Sequence, residues 1–208
     1  MVEFFYIILF LIFYTSILYP LFLLSLYPLI LKKKDTFNNK DHPINDNIDL
    51  IISSFNEKDL LETIKNLTDG AFPCNRINLI IIDDKSDLYF LKIVQSIDKF
   101  FKKKFNSLII KYNDIRMGKT YNQNFAVKNY SKTNYLFFSD SNSLYSKRAL
   151  VEIYNTLKLS KNIGYVSSQL INKIETKKNI FQNYYWKLNI INRFVENKFG
   201  SICQGNGS

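Results

Sequence analysis

Apolar positions follow two regimes along this chain. From Phe4 to Leu31 there is no charged residue and the run is almost continuously apolar. About 20 such residues cross a bilayer as a helix, so this stretch predicts one tilted span and leaves no room for two. Pro20 and Pro28 permit a kink or an early helix end, and Tyr6, Tyr19 and Tyr27 are candidates to reach the interfaces. Lys32-Lys33-Lys34 follows immediately, which by the positive-inside rule places the rest of the chain in the cytoplasm. A cleaved signal peptide is the alternative. It lacks a basic leading region and a small-residue cleavage site, and the apolar run is too long for it. The polar stretch 35–47, with Pro43 inside it, predicts a linker.

After residue 47 short apolar runs alternate with helical periods. Ile48–Ser53 predicts a strand, and Asn56 a cap for the following helix, with Glu57 and Asp59 in its first turn. In that helix Leu60, Leu61, Ile64 and Leu67 recur at helical spacing, and Asp69-Gly70 ends it. Ile77–Ile82 is a near-continuous apolar run, expected of a strand covered on both faces. Leu88–Phe101 predicts a helix, Leu108–Tyr112 a strand, Gly118–Asn129 a helix, Tyr135–Ser139 a strand and Lys147–Leu157 a helix. Gly164–Ser168, extended by Leu170-Ile171, reads as a fifth strand, and Ile180–Val195 as a helix. Strands alternating with helices imply βαβ units and a mostly parallel sheet, an α/β fold.

Charge and composition narrow the partners. The chain has 208 residues and a formal net charge of +10, from 28 Lys+Arg against 18 Asp+Glu. That length holds one α/β domain with an appendage, not two large domains. The basic residues are scattered or in short runs such as Lys102-Lys103-Lys104, with no nucleic-acid-binding motif, so an anionic membrane surface fits the excess better than nucleic acid. Cys74 and Cys203 match no metal-ligand spacing and fit a reducing compartment. His42 is the one histidine, which removes histidine metal sites and argues against a Ser-His-Asp triad.

Candidate chemistry gathers where predicted strands end. Asp83-Asp84 closes one apolar run, Asp140-Ser141-Asn142 another, and Ser53-Ser54-Phe55-Asn56-Glu57 a third. The C-terminal edge of a parallel sheet is where α/β proteins collect ligands, and acids there suit a base, a ribose and a metal between phosphates. The set reads as a nucleotide-diphosphate site. Plain structural readings stand beside it: a helix-capping turn for Asp83-Asp84, an Asx-turn for Asp140-Ser141-Asn142, an exposed first-turn lysine for Lys119, and core packing for Tyr184, Tyr185 and Trp186.

The order of these segments resembles family 2 glycosyltransferases. Ile48–Glu57 followed by Ile81-Ile82-Asp83-Asp84-Lys85-Ser86 is similar to the family's opening. Gly118-Lys119 with Asn124 is similar to its Gly-Lys…Leu-Asn segment, and Phe138–Ser143 stands where its Asp-X-Asp motif belongs. Gly164–Ser168, Tyr185-Trp186-Lys187 and Gly205-Asn206-Gly207 resemble the acceptor-side half of membrane-anchored polysaccharide synthases. The resemblance spans roughly 48–208 and implies a GT-A-like fold, with 1–34 as a transmembrane anchor with a basic stop, 35–47 as a linker and 48–208 as the glycosyltransferase domain.

By resemblance, the donor-binding residues are Ser53, Phe55, Glu57, Asp84, Lys119 and Asp140, with Ser53 and Phe55 at the base and Asp84 at a uracil edge. Asp140 and Asn142 take the metal positions for Mg²⁺ or Mn²⁺. Asn142 departs from the family's second acid and offers a carbonyl oxygen without charge. Trp186, Gly205, Asn206 and Gly207 fall on the acceptor side. The resemblance implies inverting transfer from a UDP-sugar to a glycan or lipid-linked acceptor at the cytoplasmic face of the cell membrane. The base for such a transfer belongs to a Glu-Asp pair beyond the Gly-Asn-Gly segment. Here the acids after Asp140 are Glu152, Glu175 and Glu196, none in that context. The chain therefore reads as the N-terminal, donor-binding portion of a longer enzyme or of a truncated gene. The rival is a non-catalytic, membrane-anchored nucleotide-sugar-binding or scaffold protein that pairs with a complementary subunit.

Overall fold

The computed structural model describes residues 2–31, 41–168 and 180–199. The chain groups into two compact units, Met1–Asn38 with Ser167–Asn206 and Asn39–Val166 with Gly207–Ser208.

The second unit is α/β. Its strands are β1 (Ile48–Ser54), β2 (Ile77–Asp83), β3 (Ser107–Tyr112) and β4 (Leu136–Asp140). They form one sheet in the order β3-β2-β1-β4, with every pairing parallel. Every residue of β2 is buried, and six of seven in β1. That explains the unbroken apolar runs: both faces of a central parallel strand are covered, so alternation disappears. On one face Ile48, Leu50, Ile52, Leu79 and Ile81 pack with Leu60, Ile64 and Leu67, Val94 and Ile97, and Leu150 and Tyr154. Those residues come from three helices, α3 (Leu60–Thr68), α4 (Leu88–Phe101) and α6 (Ala149–Lys158). On the other face Ile51, Ile80 and Ile82 meet Ala126 of α5 (Lys119–Tyr130).

Three expectations are corrected. Gly164–Ser168 is not a strand, because no described strand pairs with it and Tyr165 is 56% exposed; Leu170-Ile171 lies outside the described residues. Asn56 does not cap α3. Asp59 holds the N-cap position, and Asn56 turns into the left-handed region at φ 48°. Its amide exchanges two hydrogen bonds with Asp87 instead, Nδ2 to Oδ2 at 2.9 Å and Asp87 N–H to Oδ1 at 2.8 Å. Glu57 and Asp59 consequently precede the helix, whose first turn carries Glu62.

Within the stretch read as a linker, the part from Asp41 onward is fastened to α6. Asp41 Oδ1 accepts from Arg148 at 2.6 Å and from Asn155 at 3.0 Å, and Asp46 accepts from the Tyr154 hydroxyl at 2.6 Å and Lys158 at 2.7 Å.

The first unit contains α1 (Val2–Phe13), a π-helical turn (Tyr14–Leu18), α2 (Tyr19–Leu31) and α7 (Ile180–Phe199). The π turn includes Ser16, whose carbonyl an ordinary α-helix would press against the Pro20 ring, so the widened turn relieves that clash. Pro28 does not end α2. Glu3–Pro28 is long and apolar enough to cross a membrane. Leu23 and Val195 bury against each other, Tyr27 meets Phe194 edge to face at 5.8 Å, and the Tyr19 hydroxyl donates to Glu196 at 3.0 Å.

At the N-terminal edge of the sheet, Asp49 is fully buried among hydrogen-bond donors. Oδ1 accepts from Asn78 Nδ2 at 2.7 Å; Oδ2 accepts from Ser131 Oγ and from the N–H groups of Lys132 and Thr133 at 2.7–2.9 Å. Burial alone would raise its pKa, but these four donors outweigh it and leave the carboxyl below the usual range. A carboxyl depressed on folding stabilises above its unfolded pKa and loses that contribution as pH falls through the folded value. Asp49→Asn should lower stability near pH 7 by about 2–4 kcal/mol. It should also flatten the loss below about pH 4, read as urea midpoints across pH. An unchanged acid slope would assign the acid sensitivity elsewhere.

Candidate functional site

Because the strands are parallel, Ser54, Asp83, Tyr112 and Asp140 all end on one edge. From β1 the chain runs to β2 and β3 on one side and returns to β4 on the other. The order therefore reverses between β1 and β4, where open α/β sheets form a ligand crevice. Ser53 and Asp140 are register partners at that reversal.

Asp84, 3% exposed, organises the β2 tip. Its Oδ1 accepts the Met117 N–H at 2.8 Å and Asn113 Nδ2 at 3.1 Å, and Oδ2 accepts the Gly118 N–H at 2.8 Å. Burial pushes this carboxyl up, but the Met117 N–H, the Asn122 amide, the Gly118 N–H and Asn113 hold it below the usual range. Gly118, at φ +90°, turns the chain into α5 in a conformation that side chains resist. Asn122 is buried behind it, donating to Ser53 Oγ at 3.1 Å and accepting from Asn113 at 2.8 Å. Beside Asp84, Asp83 accepts the Ser86 N–H at 3.0 Å through Oδ2, while its buried Oδ1 has no partner. A cavity of about 230 Å³ opens here, lined by Asp83, Lys85, Ser86, Tyr112 and Asn113 at the strand tips and by Leu91 and Gln95 of α4.

The β1 and β2 tips are fastened together. Besides the Asn56–Asp87 exchange, Asn56 N–H donates to Ser86 Oγ at 2.9 Å, and Lys85 adopts φ 64°. Phe55 remains 39% exposed, with the Arg116 guanidinium 4.0 Å above its ring. Glu57 accepts the Asp59 N–H at 3.1 Å.

At β4, Asp140 pairs with Lys119 Nζ in a short contact. Asp140–Ser143 forms a turn closed by Ser143 N–H to Asp140 O at 3.5 Å, and Asn142 is exposed upon it. Tyr145 donates its hydroxyl to Ser139 in another short bond. Desolvation, with the Asp140 charge adding to it, pushes the Tyr145 hydroxyl up to about 12 against that bond. Among the described residues no group of three or more His, Cys, Asp or Glu could hold a metal. Asp140 and the Asn142 carbonyl are oxygen donors all the same. Mg²⁺-type sites use one or two carboxylates together with waters and substrate phosphates, so this set fits such an ion when a diphosphate supplies further oxygens.

The structure thus brings Ser53, Phe55, Glu57, Asp84, Lys119, Asp140 and Asn142 to one edge. Trp186 falls in α7, but its side chain lies outside the described residues, as do Gly205, Asn206 and Gly207. Sequence reasoning missed Asn113, Arg116 and Asn122. Asn122, not the exposed Asn124, is the amide behind the Gly118-Lys119 turn. The available signal was its place one turn after Gly118, where the first turn of α5 faces the sheet.

Comparison with known proteins bears on the family and the fold. The family model for glycosyl transferase family 2 matches residues 49–205. A mannosyltransferase from Pyrobaculum calidifontis, solved in complex with GDP-Man and Mn²⁺, superposes with a TM-score of 0.57 at 18% identity, over 67% of this chain and 40% of that one. TarS 1–349 of S. aureus, solved with UDP-GlcNAc, gives a TM-score of 0.46 at 23% identity, over 54% of this chain and 31% of that one. The chain thus spans less than half the length of these solved chains. The likeness to the mannosyltransferase is one of fold. A comparison with curated protein sequences returns no significant match.

If Asp84 is the strap for 113–118, Asp84→Asn should cost about 1.5–3 kcal/mol, because an amide cannot replace an acceptor for two N–H groups. Gly118→Ala meets no neighbour within 4 Å of a new Cβ, so its cost, about 1–3 kcal/mol for the glycine-only region at φ 90°, ψ 157°, should come from backbone strain alone. Thermal unfolding of both variants checks this. Parental melting of Asp84→Asn would show that the loop is held otherwise.

Proposed function

This chain belongs to glycosyl transferase family 2, and from that premise we propose that it binds a nucleoside-diphosphate sugar, UDP-linked, at the C-terminal edge of its sheet. The observation that carries the reading is the meeting of Ser53, Lys119 and Asp140 at the β1–β4 reversal. The base is taken by Ser53 and Phe55, with Arg116 stacked on Phe55. Asp84 serves it mainly through the loop it holds. Lys119, at the N-terminus of α5, faces the diphosphate, where a cation and the helix dipole both favour negative charge. Asp140 and Asn142 would hold Mg²⁺ or Mn²⁺, which when bound screens the diphosphate leaving group. The mannosyltransferase neighbour was solved with Mn²⁺ and GDP-Man, which supports a metal-assisted nucleotide-sugar site and makes the base identity a point to test.

The transfer itself is proposed as inverting, to a glycan or lipid-linked acceptor, and needs a base that takes the acceptor's proton. Neither Glu152 nor Glu196 is assigned that role. Glu152 lies 3.8 Å from Arg148 on the surface of α6, and Glu196 accepts from Tyr19.

Calorimetric titration tests donor binding. UDP should bind the full chain more tightly with Mn²⁺ than without, and more tightly than GDP does. Asp140→Ala should remove the Mn²⁺ enhancement, a loss of about 5- to 150-fold, and Asn142→Asp should strengthen it. Equal binding of both nucleotides with no metal effect would defeat the reading. For orientation, the Lys32-Lys33-Lys34 run supports a cytoplasmic domain. Protease added to right-side-out cells should leave the α/β unit intact, and its digestion would reverse the topology.

A further inference from the structure

We propose that Thr63 and Asn66 of α3 are positioning residues that hold the Asp140–Asn142 turn in the shape a metal-bridged diphosphate requires. The inference rests on the donor-site reading above and concerns side chains outside that site. The turn is poorly held by itself, since its closure from Ser143 N–H to Asp140 O is at the 3.5 Å limit of a hydrogen bond. The stronger grips come from α3. Thr63 Oγ1 donates to Ser141 O at 3.0 Å. Asn66 takes both main-chain groups of one residue, with Tyr145 N–H to Oδ1 at 2.6 Å and Nδ2 to Tyr145 O at 3.2 Å. Its amide pairs with this segment as a neighbouring strand would, and among the described residues no strand does so.

The two residues lie one helical turn apart, so they grasp the loop on either side of Asn142 from a single rigid face. Thr63 is fully buried on the side of α3 that otherwise carries Leu60, Ile64 and Leu67. A hydroxyl in that apolar row is costly unless bonded, and its bond goes to the middle of the turn. A cation held by one carboxylate and one neutral amide oxygen has little charge to correct a misplaced ligand. Its affinity therefore depends on the ligands being held in place beforehand.

The test uses the full chain in detergent, with UDP and Mn²⁺ as probes. Calorimetry is run with and without metal, and free Mn²⁺ is followed by electron paramagnetic resonance. Thr63→Val, which keeps shape and removes the hydroxyl, and Asn66→Ala should each weaken Mn²⁺-dependent UDP binding by about tenfold. UDP binding without metal should stay unchanged, and Thr63→Ser should restore the parental Mn²⁺ response. Folded variants with parental Mn²⁺ affinity would overturn the proposal. So would equal weakening with and without metal, the mark of general structural loss. If Asn66→Ala does not fold, the Thr63→Val and Thr63→Ser pair decides alone. A parental chain whose UDP binding ignores Mn²⁺ would instead sink the donor-site reading, and this inference with it.

Discussion

The Asp84 carboxylate is a charge taken out of water, and such a charge persists only where donors replace its hydration. It finds them in the Met117 and Gly118 N–H groups and in Asn113. Three consequences follow from that one exchange. The chain leaving β3 is drawn back over the tip of β2, α5 must begin at Lys119, and Asn122 is carried inward to Ser53. Residues 114–117 are otherwise exposed, Ile115 by 63%, so the apolar core does little to hold them. A single ionised side chain thus sets the positions of Lys119 and Arg116, cations that meet Asp140 and Phe55 at the β4 and β1 tips.

Adjacent acids in one motif divide the labour differently from what their chemistry alone suggests. Asp83 closes the β2 ladder and is tied to Ser86, while Asp84 leaves the ladder and gathers a distant loop. Both are buried. Neither resembles the exposed carboxylate that a sequence reader pictures at the rim of a nucleotide pocket. The more exposed groups at the rim are Phe55 and Arg116, and Lys119 with Asp140. An acid-rich motif at a strand end can therefore serve a ligand indirectly, by fixing the loop that makes the contact.

What the sequence disclosed and what it hid have a common physical origin. The strands and helices were legible because burial on both faces leaves unbroken apolar runs, as in Ile77–Ile82, and burial on one face leaves a helical period, as in α3. The strand tips were legible as a set, since parallel strands must end on one edge. Partners were not legible. Asn56 looks like a cap from its neighbours, yet the chain turns left-handed there and its amide goes to Asp87, 31 residues away. Asn122 is set apart from Asn124 in the sequence only by standing one turn after Gly118, and the rotation of α5 against β1 is what buries the one and exposes the other. Gly164–Ser168 has strand-like residues without a strand beside it among the described residues, and propensity cannot supply the neighbour.

The Lys119–Asp140 pair shows why a site of opposed charges can serve an anionic ligand. The side chains are 41% and 30% exposed, and pairs so open to solvent contribute only about 0–1 kcal/mol. The pair is therefore cheap to part. On the donor-site reading, a diphosphate would give Lys119 a partner with more charge than one carboxylate, and Asp140 would then help to hold a cation. Each side chain would then still face an opposite charge. Had the same pair been buried, separating it would have cost roughly 3–5 kcal/mol, and much of the donor's binding energy would have gone into opening its own site. The half-exposed placement at the reversal between β1 and β4 lets a basic and an acidic group share a rim while both remain available to a ligand.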